Sequence, residues 1–162
     1  MGAKQYWETY LNDHRAGATA GRALVRRIWR SNRRTEWGPI IEKVAESIEQ
    51  DLVVLDHVRA AVGVSGGDLK RAAALLTERA GRLKLNGHLV TYSPLSRVLE
   101  LEALMSGIRG KQSLWVALHA AAPSHPEWSD FDFAALEERA SEQLGTVKRI
   151  HEWAVAAMIG KE

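Results

Sequence analysis

Residues 6–28, YWETYLNDHRAGATAGRALVRRI, contain the pattern that decides the fold. Small or nonpolar residues recur along this stretch at helical spacing: Tyr6, Tyr10, Gly17, Gly21, Leu24 and Ile28. Because an α-helix turns about 100° per residue, this spacing places them on one face. The sequence therefore predicts a first helix over residues 4–31, with this stripe facing the core.

The same periodicity continues along the rest of the chain and predicts four more helices, at residues 38–62, 66–85, 94–121 and 132–159. Local signals mark their ends: Pro39 and Gly63 for the second, Ser65, Asp68 and Asn86–Gly87 for the third, Ser93–Pro94 for the fourth and Asp132 for the fifth. No stretch alternates with the period of two that a strand requires. The expected fold class is all-α, in a single domain over residues 1–162.

Helix length and order indicate a topology. Four of the predicted helices are of similar length, and the third is about two-thirds as long. If the first two and the last two form hairpins, the third helix serves as the crossover between them. This order resembles the ferritin-like four-helix bundle with a shorter fifth helix, although an ordinary up-down bundle with an extra helix would also satisfy it.

Three segments add a second resemblance. YLNDH at residues 10–14, LKLNG at 83–87 and YSPLSRVLELE at 92–102 are similar to segments of uncharacterised actinobacterial helical proteins. High alanine and arginine content with little lysine is typical of a bacterial, GC-rich coding source. The resemblance implies no activity that can be transferred to this chain.

The di-iron ligands of ferritin-like proteins do not accompany the predicted arrangement. Those proteins carry Glu-x-x-His on two of their helices. The residues three positions before the six histidines of this chain are Leu11, Val54, Leu85, Val116, Ala122 and Lys148, none of which is glutamate. We therefore expect no family metal site and no cofactor.

Three polar residues fall inside or beside the apolar stripes: His14, Glu102 and His151. If the fourth and fifth predicted helices are antiparallel neighbours, the rise per residue along each places Glu102 and His151 at the same level. We therefore expect the two side chains to meet in a largely buried setting. A carboxylate–imidazole pair between helices is more often structural than functional, since each group satisfies the other. Half of a metal site or an acid–base pair is the alternative.

Gly17 and Gly21 leave little side-chain bulk on the first helix. Small residues four apart allow a helix or an aromatic ring to approach the backbone closely, and His14 borders this hollow. Close packing is the favoured interpretation, and we expect His14 to be a packed, hydrogen-bonded side chain. The alternative is that the hollow leaves room for a ligand, as pockets between helices often do.

Four arginines, Arg22, Arg26, Arg30 and Arg33, fall on one face near the end of the first helix. A solvated face at a helix C-terminus explains them, because positive charge there complements the helix dipole. The net charge is only +2, and no nucleic-acid-binding motif accompanies the face, which argues against a nucleic-acid partner.

Composition bounds the remaining possibilities. The chain has no cysteine, which excludes disulfides and thiolate metal sites. No stretch has the length and apolarity of a membrane span or a signal peptide, so we expect a cytoplasmic protein. No catalytic motif is present. The sequence favours a binding or interaction module, with a small ligand or a protein as partner; the rivals are a nonstandard core site using His14, Glu102 and His151, and a nucleic-acid-associated protein using the arginines.

Overall fold

A computed structural model describes residues 2–64 and 92–160, and these residues form an all-helical structure without strands. Its long helices are α1 (Ala3–Asn32), α2 (Gly38–Ala61), α3 (Pro94–Ala121) and α4 (Phe133–Met158), with short 3-10 turns at Ala122–Ser124 and Pro126–Trp128. All four begin and end within one residue of the predicted bounds. The predicted helix at 66–85 and its end signals lie outside the described residues.

Local chemistry fixes the helix ends. The Ser93 hydroxyl accepts a hydrogen bond from the backbone N–H of Ser96 at 3.1 Å, and the Asp132 carboxylate accepts one from the N–H of Ala135 at 2.9 Å. These are the caps that the sequence predicts. Between α1 and α2 the turn is so tight that a Cβ on Gly38 would lie 2.7 Å from the carbonyl oxygen of Arg33, which explains the glycine there.

Four pairs of helices run antiparallel: α1 with α2, α1 with α3, α2 with α4, and α3 with α4. Two side-chain contacts for each pair show the direction, because residue numbers rise along one helix while they fall along the other. The contacts are Arg15 with Asp56 and Arg26 with Glu49 for α1 and α2, Arg27 with Glu100 and Asn32 with Arg97 for α1 and α3, Ser47 with Gln143 and Asp51 with Arg139 for α2 and α4, and Glu102 with His151 and Gln112 with Ser141 for α3 and α4. Helices α2 and α3 therefore run in the same direction. The chain leaves α2 at one end of the molecule and enters α3 at the other.

One hydrophobic core receives side chains from all four helices. In α1 these are Leu11, Val25 and Ile28, whereas Tyr6 and Gly17 are exposed. The predicted stripe of α1 is therefore right only in part. Ile28 is buried as predicted and Tyr10 and Leu24 pack partly buried against the core, but the core residues Leu11 and Val25 lie outside the stripe. The physical reason is that glycine offers no apolar side chain to bury, so only the aliphatic residues mark the core face.

The connection between α3 and α4 contributes to the core as well. Trp128, in what the sequence indicates to be a loop, is fully buried and donates its indole N–H to the carbonyl oxygen of Val58 at 3.2 Å. It packs edge-to-face on Trp7 and Phe133. No helix in the described part of the chain combines the length and apolarity needed to cross a membrane.

Candidate functional site

Glu102 and His151 meet, as their positions on α3 and α4 predict. The Nε2 atom of His151 lies 3.2 Å from Oε1 of Glu102. The expected burial is wrong, because the Glu102 side chain is 50% exposed and that of His151 is 21% exposed. Their chain neighbours Leu101 and Ile150 take the core positions, which turns the pair about 100° toward the rim of the α3–α4 seam.

His14 does not join this pair. Its ring packs against Tyr10 with 4.5 Å between centroids, and burial lowers the pKa of His14, partly offset by the charge of Asp13. Glu100 is level with Arg27 on α1, so Glu102 is level with about residue 25, which places His14 about 16 Å away along the helix. Among residues 2–64 and 92–160, no three His, Asp or Glu side chains are grouped as metal ligands.

Within residues 2–64 and 92–160, Gly17 and Gly21 are not at a close contact. A Cβ built on either residue would meet no heavy atom within 4 Å. The expected helix contact or covering aromatic ring is therefore not seen within the described residues, where Gly17 is exposed. The alternative, that these glycines leave room for a ligand, stays a prediction.

The YLNDHRAG stretch instead acts through Asn12 and Arg15. Asn12 accepts a hydrogen bond from the buried Arg59 at 2.6 Å, and Arg15 and Arg59 each donate to Asp56 at 3.0 Å. Burial favours a higher pKa for Asp56, but the hydrogen bonds and charges of the two arginines outweigh it and hold the pKa below its ordinary value. This network joins α1 to α2.

A second network, which the sequence reasoning missed, centres on the buried Asp51 of α2. Its carboxylate accepts hydrogen bonds from Lys111 of α3 and from Arg139 and Gln143 of α4, the last at 3.0 Å. Gln143 also donates to the Ser47 hydroxyl at 2.6 Å. Burial lowers the pKa of Lys111, Arg139 acts in the same direction, and the Asp51 charge opposes both.

The sequence does contain a signal for this network. Asp51 lies three residues after Ile48 and four before Leu55, and Lys111 and Gln143 occupy the equivalent places between core residues of α3 and α4. A polar residue that fills such a place in an apolar stripe must be paired or it destabilises the fold. Chemically, both oxygens of the Asp51 carboxylate are already occupied by donors, so the cluster is a structural joint between three helices.

A third polar cluster lies where α1 ends and α3 begins. The buried Asn32 accepts a hydrogen bond from Arg97 at 2.7 Å and donates to the Tyr92 hydroxyl at 2.8 Å. The Arg97 guanidinium also lies 4.7 Å from the ring centroid of Trp153. Burial raises the pKa of Tyr92. The cluster anchors the first turn of α3 to the last turn of α1.

The arginine face is partly neutralised within the chain. Arg22 and Arg26 both contact Glu49 of α2, at 3.1 and 2.6 Å. Arg30 and Arg33 have no ion-pair partner within the described residues. The nucleic-acid prediction is not tested by these contacts, but the face carries less unpaired positive charge than its four arginines suggest.

Two of these arginines border an open groove of about 460 Å³ between α1 and α2. Arg26 and Arg30 form one wall of this α1–α2 groove, and acidic residues of α2 form the other: Glu42, Glu46 and Glu49. Trp29, Ala45 and Val53 supply its apolar surface, and Val53 is 50% exposed. The groove is therefore an accessible surface that combines apolar side chains with charges of opposite sign on its two walls.

Comparison with known proteins adds no further constraint on this site. The chain matches no protein-family model, no curated protein and no solved structure.

Proposed function

We propose that the protein is a non-catalytic interaction module and that the α1–α2 groove is its binding surface. The observation that carries this proposal is that the exposed Val53 and the half-buried Trp29 line one groove whose two walls carry charges of opposite sign. Apolar area at the centre with charges at the edge is the usual arrangement of a protein-binding surface.

The shape of the groove favours a helical partner. Ridges of side chains on one helix fit into the grooves of another, so a helical partner can pack along α1 and α2. Trp29 is the type of residue that supplies most binding energy at such surfaces. The Arg22–Glu49 and Arg26–Glu49 contacts hold the two walls in place before any partner binds.

The proposed setting follows from the arrangement of the helices and from composition. We infer a ferritin-like four-helix bundle, in which the residues between α2 and α3 form the crossover, because consecutive helices α2 and α3 run in the same direction. Membership among actinobacterial helical proteins and a cytoplasmic location belong to the same proposal. They are supported by the segments at residues 10–14 and 92–102 and by the absence of cysteine from the sequence.

Site-specific crosslinking tests the proposal. A photoreactive amino acid replaces Val53 in the groove, and in a control protein it replaces Val116 on α3, which is similarly exposed at 45%. After irradiation in the source cells, mass spectrometry of the adducts identifies the crosslinked protein and peptide. We expect one dominant protein adduct from position 53 and none from position 116. Equal labelling at both positions, or none at either, would contradict the proposal.

A further inference from the structure

The α1–α2 groove carries opposite charges on its two walls, and this arrangement restricts the partner. The α1 wall is basic through Arg26 and Arg30, and the α2 wall is acidic through Glu42 and Glu46. Arg30, Glu42 and Glu46 have no ion-pair partner in the part of the chain that the structure describes. A matching partner must therefore present an acidic helix over α1 and a basic helix over α2.

This chain itself presents such a surface. In a face-to-face pair with its twofold axis parallel to the helices, α1 of each copy lies over α2 of the other, so basic walls meet acidic walls at both edges. A twofold axis that lies in the interface plane but perpendicular to the helices would instead place each helix over its own copy, so that like charges face each other. Closed homodimers use one such self-complementary face.

The levels of the charged residues agree with the first arrangement. Arg26 pairs with Glu49 within the chain. Arg30 lies four residues after Arg26 on α1, and the antiparallel α2 reaches the same level four residues before Glu49. Arg30 is therefore level with Ala45 and Glu46. A twofold axis along the helices preserves height, so Arg30 of one copy faces Glu46 of the other.

The available area is close to what a dimer requires. The 24 residues of α2 extend for about 36 Å, and two adjacent helices are about 20 Å wide. Burial of the whole length of this face would cover at most roughly 700 Å² per copy, against about 800 Å² per partner in a typical stable interface. Resting on the interaction function proposed above, we infer that the partner in the groove is a second copy of this chain, related by a twofold axis parallel to α1 and α2.

A charge-swap experiment tests this pairing. Sedimentation equilibrium of the full chain should show a dimer of twice its 18.0 kDa mass. The single variants Arg30→Glu and Glu46→Arg each oppose like charges across the interface, so each should weaken dimerisation about tenfold or more. An equimolar mixture of the two should recover a heterodimer, because each of its two contacts again joins opposite charges. Arg109→Glu, an exposed change on α3, serves as the control and should leave the dimer unchanged.

Each result decides the proposal. Circular dichroism of each variant checks that its helices are retained. A chain that stays monomeric at about 100 μM, a dimer that Arg30→Glu does not weaken, or a mixture that does not recover would overturn the twofold pairing. Crosslinking at position 53 distinguishes failure of the dimer hypothesis from failure of the proposed binding function. A monomeric chain that still crosslinks to one other protein refutes only the dimer, whereas a monomeric chain without adducts refutes both.

Discussion

At the residue scale, Asp56 links stability to pH. Because its pKa is lower in the folded protein than in the unfolded chain, its contribution is present above about pH 4 and is lost as the pH falls through the folded pKa. Asp56→Asn should therefore destabilise the protein at neutral pH by about 1 kcal/mol or less, since the side chain is 39% exposed and solvent screens its contacts. Urea unfolding at several pH values measures this difference.

The expected signature is the convergence of two curves. Parent and Asp56→Asn should differ most above about pH 5 and become similar toward pH 2. Asp130→Asn, in the exposed turn before α4, provides a matched loss of one carboxylate and should remain parallel to the parent. A constant difference between parent and Asp56→Asn across this range would mean that the ionised carboxylate does not stabilise the fold.

The Glu102–His151 contact is a second residue-scale test. The pair lies at a solvent-exposed rim, so its coupling energy should be below about 1 kcal/mol. A double-mutant cycle with Glu102→Gln and His151→Phe, followed by denaturant unfolding, measures it. A coupling of several kcal/mol would show that the pair is buried in solution.

Residue positions were only partly predictable, and the reason is angular. The contact between Glu102 and His151 is confirmed because rise along a helix is regular, but a rotation of one residue decides burial. The same ambiguity explains why the core positions of Asp51 and Gln143 were not predicted. Each is followed by a leucine, Leu52 or Leu144, and the leucine fits the apolar spacing equally well. Which donors would reach Asp51 depends on three helices separated widely in sequence, and periodicity within one helix does not contain that information.

At the element scale, α1 contains glycines that packing among the described residues does not require. Gly17→Ala and Gly21→Ala should each stabilise the protein by about 0.5–1 kcal/mol, because alanine has the higher helix propensity and its Cβ would meet no neighbouring atom. Thermal and urea unfolding of the single variants measure the gain. An unchanged or lower stability would mean that another surface packs on this face of α1.

Gly38→Ala is the opposing control at the start of α2. Here a Cβ would lie 2.7 Å from a backbone oxygen of Arg33, so the tight turn must shift and stability should fall. The element bounds themselves were predictable because caps and prolines act within a few residues, as Ser93 and Asp132 show. The face that α1 turns to the core was not, because glycine and tyrosine are ambiguous markers of burial.

At the scale of the whole molecule, the α1–α2 hairpin must be held against the α3–α4 hairpin. The Asp51 network does this with one carboxylate that contacts two cations, Lys111 and Arg139, and an amide from Gln143. Loss of the carboxylate charge leaves the poorly solvated Lys111 ammonium without its counter-ion. Asp51→Asn should therefore cost about 3–5 kcal/mol, the usual effect of breaking a buried ion pair from one side.

Removing the charge from both sides should cost less. Lys111→Met fills similar space without a charge, so the double variant Asp51→Asn with Lys111→Met should be more stable than the sum of the two single losses predicts. Denaturant unfolding, followed by circular dichroism and by tryptophan fluorescence, gives the free energies and tests whether both hairpins unfold together. If Asp51→Asn costs less than about 1 kcal/mol, the carboxylate is solvated and does not join the hairpins. Strict additivity would instead show that Asp51 and Lys111 stabilise the fold independently, because a direct pair must couple.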